Sequence, residues 1–369
     1  MTRVGGRADP TRSDSKSSGQ RPRESQSSWP NNPVAAGVPE VVRGGWPASR
    51  WFPVERLERS SHPALRMLPV RTPLMLQALQ RSLQKGIPES LKVYGTVYHV
   101  NRGNPFKLEA LVDRWPDFNT VIVRPPEQEM TDDLDHYTNT YLIYSKDLET
   151  CREALASPGT INWKQHLQIQ GLQPELEKVI REVAASKSVQ VQTTDAILYI
   201  SPETLQSLAP SLLQRDHANK LPLKTSRPKK EIDDEKFKLS AVEVDNAGLV
   251  NGLWVFGGNE RSLRFIRRCI RHFPSFCLRG PEGTPVSWSL MDQTGEMRMG
   301  GTLAEYRNKG FVAHIIYHQI QALVPRGFPV YSNVARANPY MHRLCQSLGI
   351  SSIPCGWHQW NCVPLASSR

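Results

Sequence analysis

The order of strand and helix signals in residues 237–363 constrains the fold more than any other feature of the sequence. Val286–Met291 and Glu296–Leu303 have strand character, and Phe311–Leu323 carries apolar residues at helical spacing. Along the chain the predicted order is β-α-α-β-β-β-α-β-α-β. Such an order is typical of a mixed sheet flanked by helices, so the predicted fold class is α/β (α+β). The other elements predicted here are strands at Phe237–Val244, Ser275–Leu278, Val330–Val334 and Trp357–Val363, and helices at Ala247–Phe256, Ser262–His272 and Pro339–Leu348.

The first half of the chain has the same α/β rhythm but shows no catalytic constellation of its own. Its predicted helices are Leu74–Gln84, Pro105–Trp115, Leu148–Ala156 and Leu176–Ala185, and its predicted strands are Val93–Val100, Thr120–Val123, Thr140–Tyr144 and stretches of Ser188–Ile200. Residues 219–236 are charged and contain prolines, which is typical of a linker. The sequence therefore predicts an N-terminal domain at 67–225, a linker at 226–236 and a C-terminal catalytic domain at 237–369.

Residues 1–66 differ in composition from the rest of the chain. Ser, Pro, Arg and Gly dominate this segment and apolar periodicity is absent, so we expect a disordered extension. The Arg and Ser content also suits a mitochondrial presequence, but six acidic residues oppose that interpretation because transit peptides are poor in acids. Met67 opens the first periodic segment and is a candidate natural start of the working protein.

Net charge indicates the kind of ligand, and cysteine content indicates the compartment. The formal net charge of +11 suits either a nucleic acid or an anionic small ligand such as a coenzyme. The Lys and Arg residues are scattered and no nucleic-acid-binding signature accompanies them, which favours the small ligand. No apolar run reaches the roughly 18 residues of a membrane span, so a soluble chain is expected. The six cysteines form no C-x-x-C pair and no zinc spacing, so we expect a reducing compartment and no metal site.

A segment suited to binding a pyrophosphate follows the strand Glu296–Leu303. A helix start offers unpaired N–H groups and the positive end of the helix dipole, and a glycine there lets the backbone approach the phosphates. Arg-x-x-Gly alone is a common pattern, and its structural alternative is an ordinary helix start. Its position after this strand favours coenzyme binding. The segment consists of Arg307, Asn308, Lys309, Gly310, Phe311 and Val312.

Longer strings carry a more specific resemblance. The strings are Asn259–Ser262, Gly280–Trp288 and Met291–Met299 in the last third, and Ser90–Gly95, Gly103–Phe106 and Asn162–Leu167 in the first half. Over about Met67 to Leu365 the chain resembles the glycine N-acyltransferase family of the GNAT superfamily. The resemblance implies two tandem GNAT-like domains, a monomer and mitochondrial residence. It also implies transfer of an aromatic or short- to medium-chain acyl group from acyl-CoA to glycine, with acyl-CoA as co-substrate and no permanently bound cofactor.

The resemblance assigns the general base to Glu296. Glycine's amine is protonated near neutral pH, and a carboxylate within hydrogen-bond reach can take its proton before attack on the thioester. Arg298 should share a strand face with Glu296. It is therefore predicted either to hold the carboxylate of the amino acid or to pair with Glu296, and the sequence does not decide between the two.

The resemblance also marks two departures from the family pattern, and other residues of this region have two interpretations. Val312 stands where GNAT proteins usually have Gly or Ala, and Cys345 stands where many have a Tyr that protonates the leaving thiolate. A thiol with a pKa of about 8.5 can leave as thiolate without an acid. Asn338 resembles the family-wide Asn at a helix start and is assigned to coenzyme binding, with a plain helix N-cap as the alternative. Trp357 and Trp360 either line an acyl pocket or pack in the core.

Three functions are consistent with these residues. The first is acyl transfer from a donor such as benzoyl-CoA to glycine. The second is the same chemistry with glutamine or with long-chain donors. The third is a protein that binds acyl-CoA without turnover, which the presence of Glu296 opposes. We expect neither nucleic acid nor membrane as a partner.

Overall fold

A computed structural model describes residues 65–214 and 222–365. The predicted disorder of 1–66 falls outside these ranges except for its last two residues. The described strands are β1 (Leu68–Val70), β2 (Glu109–Val112), β3 (Thr120–Arg124), β4 (Thr140–Ser145), β5 (Leu167–Gly171), β6 (Val189–Ile200), β7 (Lys238–Ser240), β8 (Phe276–Arg279), β9 (Pro285–Met291), β10 (Met297–Thr302), β11 (Tyr331–Ala335) and β12 (Ser351–Pro364). The described α-helices are α1 (Pro73–Gln84), α2 (Leu91–Val100), α3 (Leu148–Ala156), α4 (Leu176–Ser186), α5 (Pro202–Leu208), α6 (Pro210–Gln214), α7 (Ala247–Leu253), α8 (Glu260–His272), α9 (Phe311–Leu323) and α10 (Pro339–Ser347).

The two halves of the chain share one large sheet. Its strand order is β1-β2-β3-β4-β5-β12-β6-β11, and a second sheet has the order β10-β9-β8-β7. The last strand of the chain, β12, lies between β5 and β6 and is antiparallel to both. β6 in turn pairs with β11 of the second half. Strands from both halves therefore build the large sheet, and the division at 226–236 stays a prediction.

β10 and β11 meet at one parallel bridge and then separate. The bridge joins Glu296, just before β10, to Tyr331 at the start of β11. Beyond it β10 bulges: its register against β9 shifts between Arg298 and Gly301, and Met299 between them has a left-handed φ of 55°. Because a bulge bends its strand and disrupts the ladder, β10 turns away from β11. A cavity lined by residues of both strands lies in the opening.

Two sequence predictions in the first half are wrong. Val93–Val100 was predicted as a strand but belongs to α2, in which every residue from Leu91 to His99 is buried. A helix buried on all sides has no polar face, so its apolar and β-branched residues give no helical period. Pro105–Trp115 was predicted as a helix but contains β2, which follows a turn with left-handed φ at Asn104 and Lys107.

The other predicted elements are confirmed in type, with shifts at their ends. β5 was not predicted, because two of its five residues are glutamines. Gln168 and Gln170 are buried there and donate hydrogen bonds to Thr140 Oγ1 and Gln359 Oε1. The strand is therefore polar in sequence although it lies inside the protein, where hydrogen bonds satisfy its glutamine side chains.

Helix α8 fastens the second half to the first. Arg261 and Arg264 on this helix form ion pairs with Asp132, at 2.9 and 3.1 Å, and Arg264 also pairs with Asp135 at 3.0 Å. These two arginines therefore form contacts between the two halves of the chain. Within the described ranges, no helix is long and apolar enough to cross a membrane.

Because the large sheet contains strands of both halves, we predict that the second half does not fold alone. A fragment of residues 226–369 lacks β6, so β11 and β12 lose their shared partner and expose unpaired edges. We expect this fragment to lack a cooperative unfolding transition by circular dichroism. Co-expression with a fragment of residues 1–225 should give a folded complex that co-purifies. A 226–369 fragment that unfolds cooperatively by itself would contradict this account.

Candidate active site

A cavity of about 530 Å³ fills the opening between β10 and β11. Its walls come from β10, the segment that leads into α9, the edge of β11 and the start of α10, with β6 and the end of α7 completing it. Most residues assigned to the site from sequence meet in this cavity. Those that line it are Glu296, Arg298, Arg307, Asn308, Gly310, Phe311, Val312 and Asn338. Lys309 is not among the lining residues, and its Nζ lies 4.8 Å from the centre of the Tyr306 ring.

Glu296 lies at the base of the cavity, with its carboxylate held from two sides. The backbone N–H of Asn333 on β11 donates to Oε1 at 3.2 Å. The ammonium of Lys92 on α2 lies 2.5 Å from Oε2. The side chains of Lys92 and Glu296 are only 1% and 3% exposed. The carboxylate is therefore fixed in direction, and its charge is balanced by a cation from the first half of the chain.

A second buried ion pair lies beside the first. Asp292 is fully buried; its Oδ1 accepts from the backbone N–H and hydroxyl of Thr294 at 2.8 and 2.6 Å. Its Oδ2 lies 3.3 Å from Nη1 of Arg298. Burial acts to raise the pKa of Asp292, but the Lys92 and Arg298 charges and the Thr294 hydrogen bonds outweigh it, so the pKa lies below its ordinary value.

Arg298 does not pair with Glu296, so that alternative from the sequence is wrong. Its carboxylate partner is Asp292. Its guanidinium carbon lies 5.4, 5.7 and 5.4 Å from the ring centres of Trp254, Phe256 and Trp357. An arginine over aromatic faces is stabilised by their quadrupoles and stays close to them. The other alternative, that Arg298 holds the carboxylate of an amino acid, stays a prediction.

The segment before α9 has the backbone needed for close approach of an anion. Gly310 is the N-cap of α9 with φ 89°, and Asn308 has φ 63°. Both lie in the left-handed region, which turns the chain sharply into the helix. The predicted linker covers this turn: Lys230 Nζ donates to Asn308 O at 2.7 Å, and Lys230 O lies 2.6 Å from His314 Nε2.

The start of α10 also faces the cavity. Asn338 Oδ1 accepts from the backbone N–H of Met341 at 3.1 Å, so Asn338 is the N-cap of α10 as well as a lining residue. Cys345, further along α10, is 1% exposed, and burial raises the pKa of its thiol to about 12. Cys345 does not line the cavity, whereas Tyr340 on the same helix does.

Sequence reasoning missed three residues that shape this site. Lys92 and Asn333 hold the Glu296 carboxylate, and Asp292 holds Arg298. Lys92 and Asp292 lie inside strings that had indicated the family resemblance, but no spacing rule relates Lys92 to a residue 204 positions away. Of the two tryptophans, Trp357 lines the cavity and Trp360 is fully buried in a core cluster with α4. In the part of the chain that the structure describes, no cluster of His, Cys, Asp and Glu is suited to a metal ion.

Asp292→Asn should destabilise the fold by about 3–5 kcal/mol, because it leaves Arg298, whose side chain is only 11% exposed, without its counter-charge. The contribution of the carboxylate is present at neutral pH and is lost as pH falls through its lowered folded pKa, below about 4. The variant should therefore lose part of the acid dependence of the unfolding free energy. Urea denaturation from pH 7 to pH 3 checks this, with the exposed Asp245→Asn as control. Equal stability of Asp292→Asn and the wild type would show that the pair contributes nothing.

Comparison with known proteins supports the family resemblance. The model of the family described as aralkyl acyl-CoA:amino acid N-acyltransferase matches residues 67–274, and the model of its C-terminal region matches residues 276–364. A glycine N-acyltransferase of Bos taurus is 60% identical over 291 residues, which cover 79% of this chain and 97% of that protein. A glycine N-phenylacetyltransferase of Bos taurus is 56% identical over 299 residues, which cover 81% of this chain and all of that protein.

The fold has a solved counterpart. The crystal structure of a Drosophila protein, 14% identical in sequence, superposes with a TM-score of 0.62 and covers 81% of this chain and 99% of its own. At that identity the likeness concerns the fold alone. The predicted α/β fold, a mixed sheet flanked by helices, is confirmed. Together with the two family matches, the high identity over nearly the whole length of the relatives shows that the chain belongs to the aralkyl acyl-CoA:amino acid N-acyltransferase family.

Proposed function

We propose that the protein transfers an acyl group from acyl-CoA to the amine of glycine, giving an N-acylglycine and free coenzyme A. The observation that carries this is the position of Glu296, a buried carboxylate at the base of a cavity that also contains a glycine-capped helix start. A base for the amine and an anion site for the coenzyme thus share one cavity. The names of the relatives, glycine N-acyltransferase and glycine N-phenylacetyltransferase, support the same reaction.

The cavity residues divide the reaction between binding and proton transfer. The first turn of α9, with Gly310 and Val312, binds the coenzyme pyrophosphate through backbone N–H groups. The amine of glycine gives a proton to Glu296 and attacks the thioester carbonyl carbon, so that an N–C bond forms. A backbone N–H of the bulged segment at Met299 stabilises the oxyanion. The carbon–sulfur bond then breaks and coenzyme A leaves as a thiolate, which takes up the second proton lost by the nitrogen. Glu296 releases the first proton to solvent.

The side chains around Arg298 favour aromatic acyl donors and an acceptor that carries a carboxylate. Trp254, Phe256 and Trp357 line the cavity beside the Arg298 guanidinium, and aromatic side chains pack well against a benzoyl or phenylacetyl group. Asp292 occupies Nη1 of Arg298, and other guanidinium N–H groups can hold the carboxylate of glycine.

Thiol release from benzoyl-CoA tests the function. The full chain should release coenzyme A in a glycine-dependent manner, and Glu296→Gln should lower kcat by about 10²–10⁴-fold, as expected for loss of a general base. The exposed Glu282→Gln, outside the cavity lining, is the matched control and should keep wild-type activity. Binding of coenzyme A to Glu296→Gln, measured by calorimetry, should be unchanged because the carboxylate does not hold the phosphates.

Two results would contradict the proposal. Acyl-CoA binding without release in the presence of glycine, glutamine or longer acyl donors would identify a binding protein. Release with glutamine or with long-chain donors, but not with glycine and benzoyl-CoA, would keep the chemistry and change the substrates.

We also propose that the protein acts as a monomer in mitochondria, where it conjugates acyl groups to glycine in detoxification. The family resemblance and the Arg- and Ser-rich composition of residues 1–66 support the location, and their six acidic residues oppose it. Import of the full chain into isolated mitochondria should make it resistant to added protease. Continued protease sensitivity would contradict the location.

A further inference from the structure

We propose that Lys92, on helix α2 in the first half of the chain, is a positioning residue that balances the charge of Glu296 and holds its carboxylate toward the acceptor amine. This inference rests on the acyl transfer proposed above. It assigns part of the catalytic machinery to the half of the chain that carries no catalytic signature in its sequence. The observation behind it is the ion pair of Lys92 Nζ with Glu296 Oε2 at 2.5 Å, between side chains that are almost completely buried.

The backbone fixes the position of Lys92. Gly95, one turn further along α2, packs so closely on the turn before β10 that a Cβ there would lie 2.0 Å from Thr294 O. Lys92 Nζ also donates to Thr294 Oγ1 at 3.3 Å. Because α2 contacts this turn directly and the Lys92 side chain is only 1% exposed, Nζ is held beside Glu296. The Gly95 contact therefore sets the distance between the two halves at this point.

The charges around Glu296 make Lys92 its counter-ion. Asp292 and Arg298, on the turn and on β10, form their own ion pair at 3.3 Å. On β11, burial raises the pKa of Tyr331 well above its ordinary value, so its hydroxyl stays neutral and donates to Thr294 O at 2.8 Å. On α2, burial lowers the pKa of His99 to about 4, so it is also neutral near pH 7. The cation that remains for Glu296 is Lys92.

A general base at this depth needs such a cation. Burial alone favours the protonated form of a carboxyl group, and a protonated Glu296 could not accept a proton from the amine. An ammonium in contact with it favours the ionised form. A merely structural role explains the pair less well, because a buried ion pair seldom stabilises a fold more than apolar residues of the same volume. We therefore assign the pair a role in catalysis rather than in stability.

The test compares three variants of the full chain in the thiol-release assay across pH, with saturating benzoyl-CoA and glycine. Lys92→Met removes the charge, and Lys92→Arg keeps it. Lys178→Met is the matched control, because Lys178 is an exposed lysine on helix α4 and does not line the cavity. Thermal unfolding and calorimetric binding of coenzyme A report whether each variant is folded.

We expect Lys92→Met to bind coenzyme A like the wild type, with a similar KM for benzoyl-CoA. At a pH on the acid limb of the wild type, its kcat should fall by about 10-fold or more and should recover as pH rises, because the limb moves up by about one pH unit or more. Lys92→Arg should keep the acid limb of the wild type. Lys178→Met should match the wild type throughout.

Several outcomes would overturn the role of Lys92. One is a folded Lys92→Met variant with the kcat and the acid limb of the wild type. Another is a Lys92→Met variant whose kcat is lowered by the same factor at every pH. If Lys92→Met does not fold, Lys92→Arg decides: an acid limb displaced by a unit or more would overturn the proposal, and an unchanged limb would support it. No glycine-dependent release by the wild type would instead contradict the proposed function, which separates the two failures.

Discussion

The site depends on the single bridge between Glu296 and Tyr331, after which β10 and β11 separate. If the two strands paired along their length, the ladder would be closed and no cavity would lie between them. The bulge at Met299 prevents that pairing by turning β10 outward. The gap then gives access to a carboxylate that would otherwise be sealed in the core. The bulge in β10 thus opens the cavity in which the Glu296 carboxylate can meet a substrate.

The halves of the molecule depend on each other at two levels. In the sheet, β12 of the second half lies between β5 and β6 of the first, and β6 supports β11. At the site, Lys92 from the first half contacts Glu296 in the second. The shared sheet brings the halves together. The close packing of Gly95 on Thr294 then places Lys92 within hydrogen-bond distance of Glu296. The first half therefore does more than cover the second.

The sequence predicted features that are local and missed those that depend on long-range packing. The helix start at Gly310 was predictable because its signals lie within a few residues, and Glu296 because it belongs to a specific string. α2 was misassigned because a fully buried helix has no amphipathic period. The contact of Lys92 with Glu296 joins residues 204 positions apart, and the place of β12 in the sheet follows from pairing partners that local periodicity does not specify.

The central claim is that Glu296 takes the proton of the acceptor amine. A crystal structure with a bisubstrate compound, in which the sulfur of coenzyme A is joined to an N-acylglycine, tests it most directly. The account predicts the glycine nitrogen within about 2.6–3.2 Å of a Glu296 carboxylate oxygen, or linked to it through one water, and the pyrophosphate at the N-terminus of α9. A nitrogen remote from Glu296, or a pyrophosphate bound elsewhere, would contradict it.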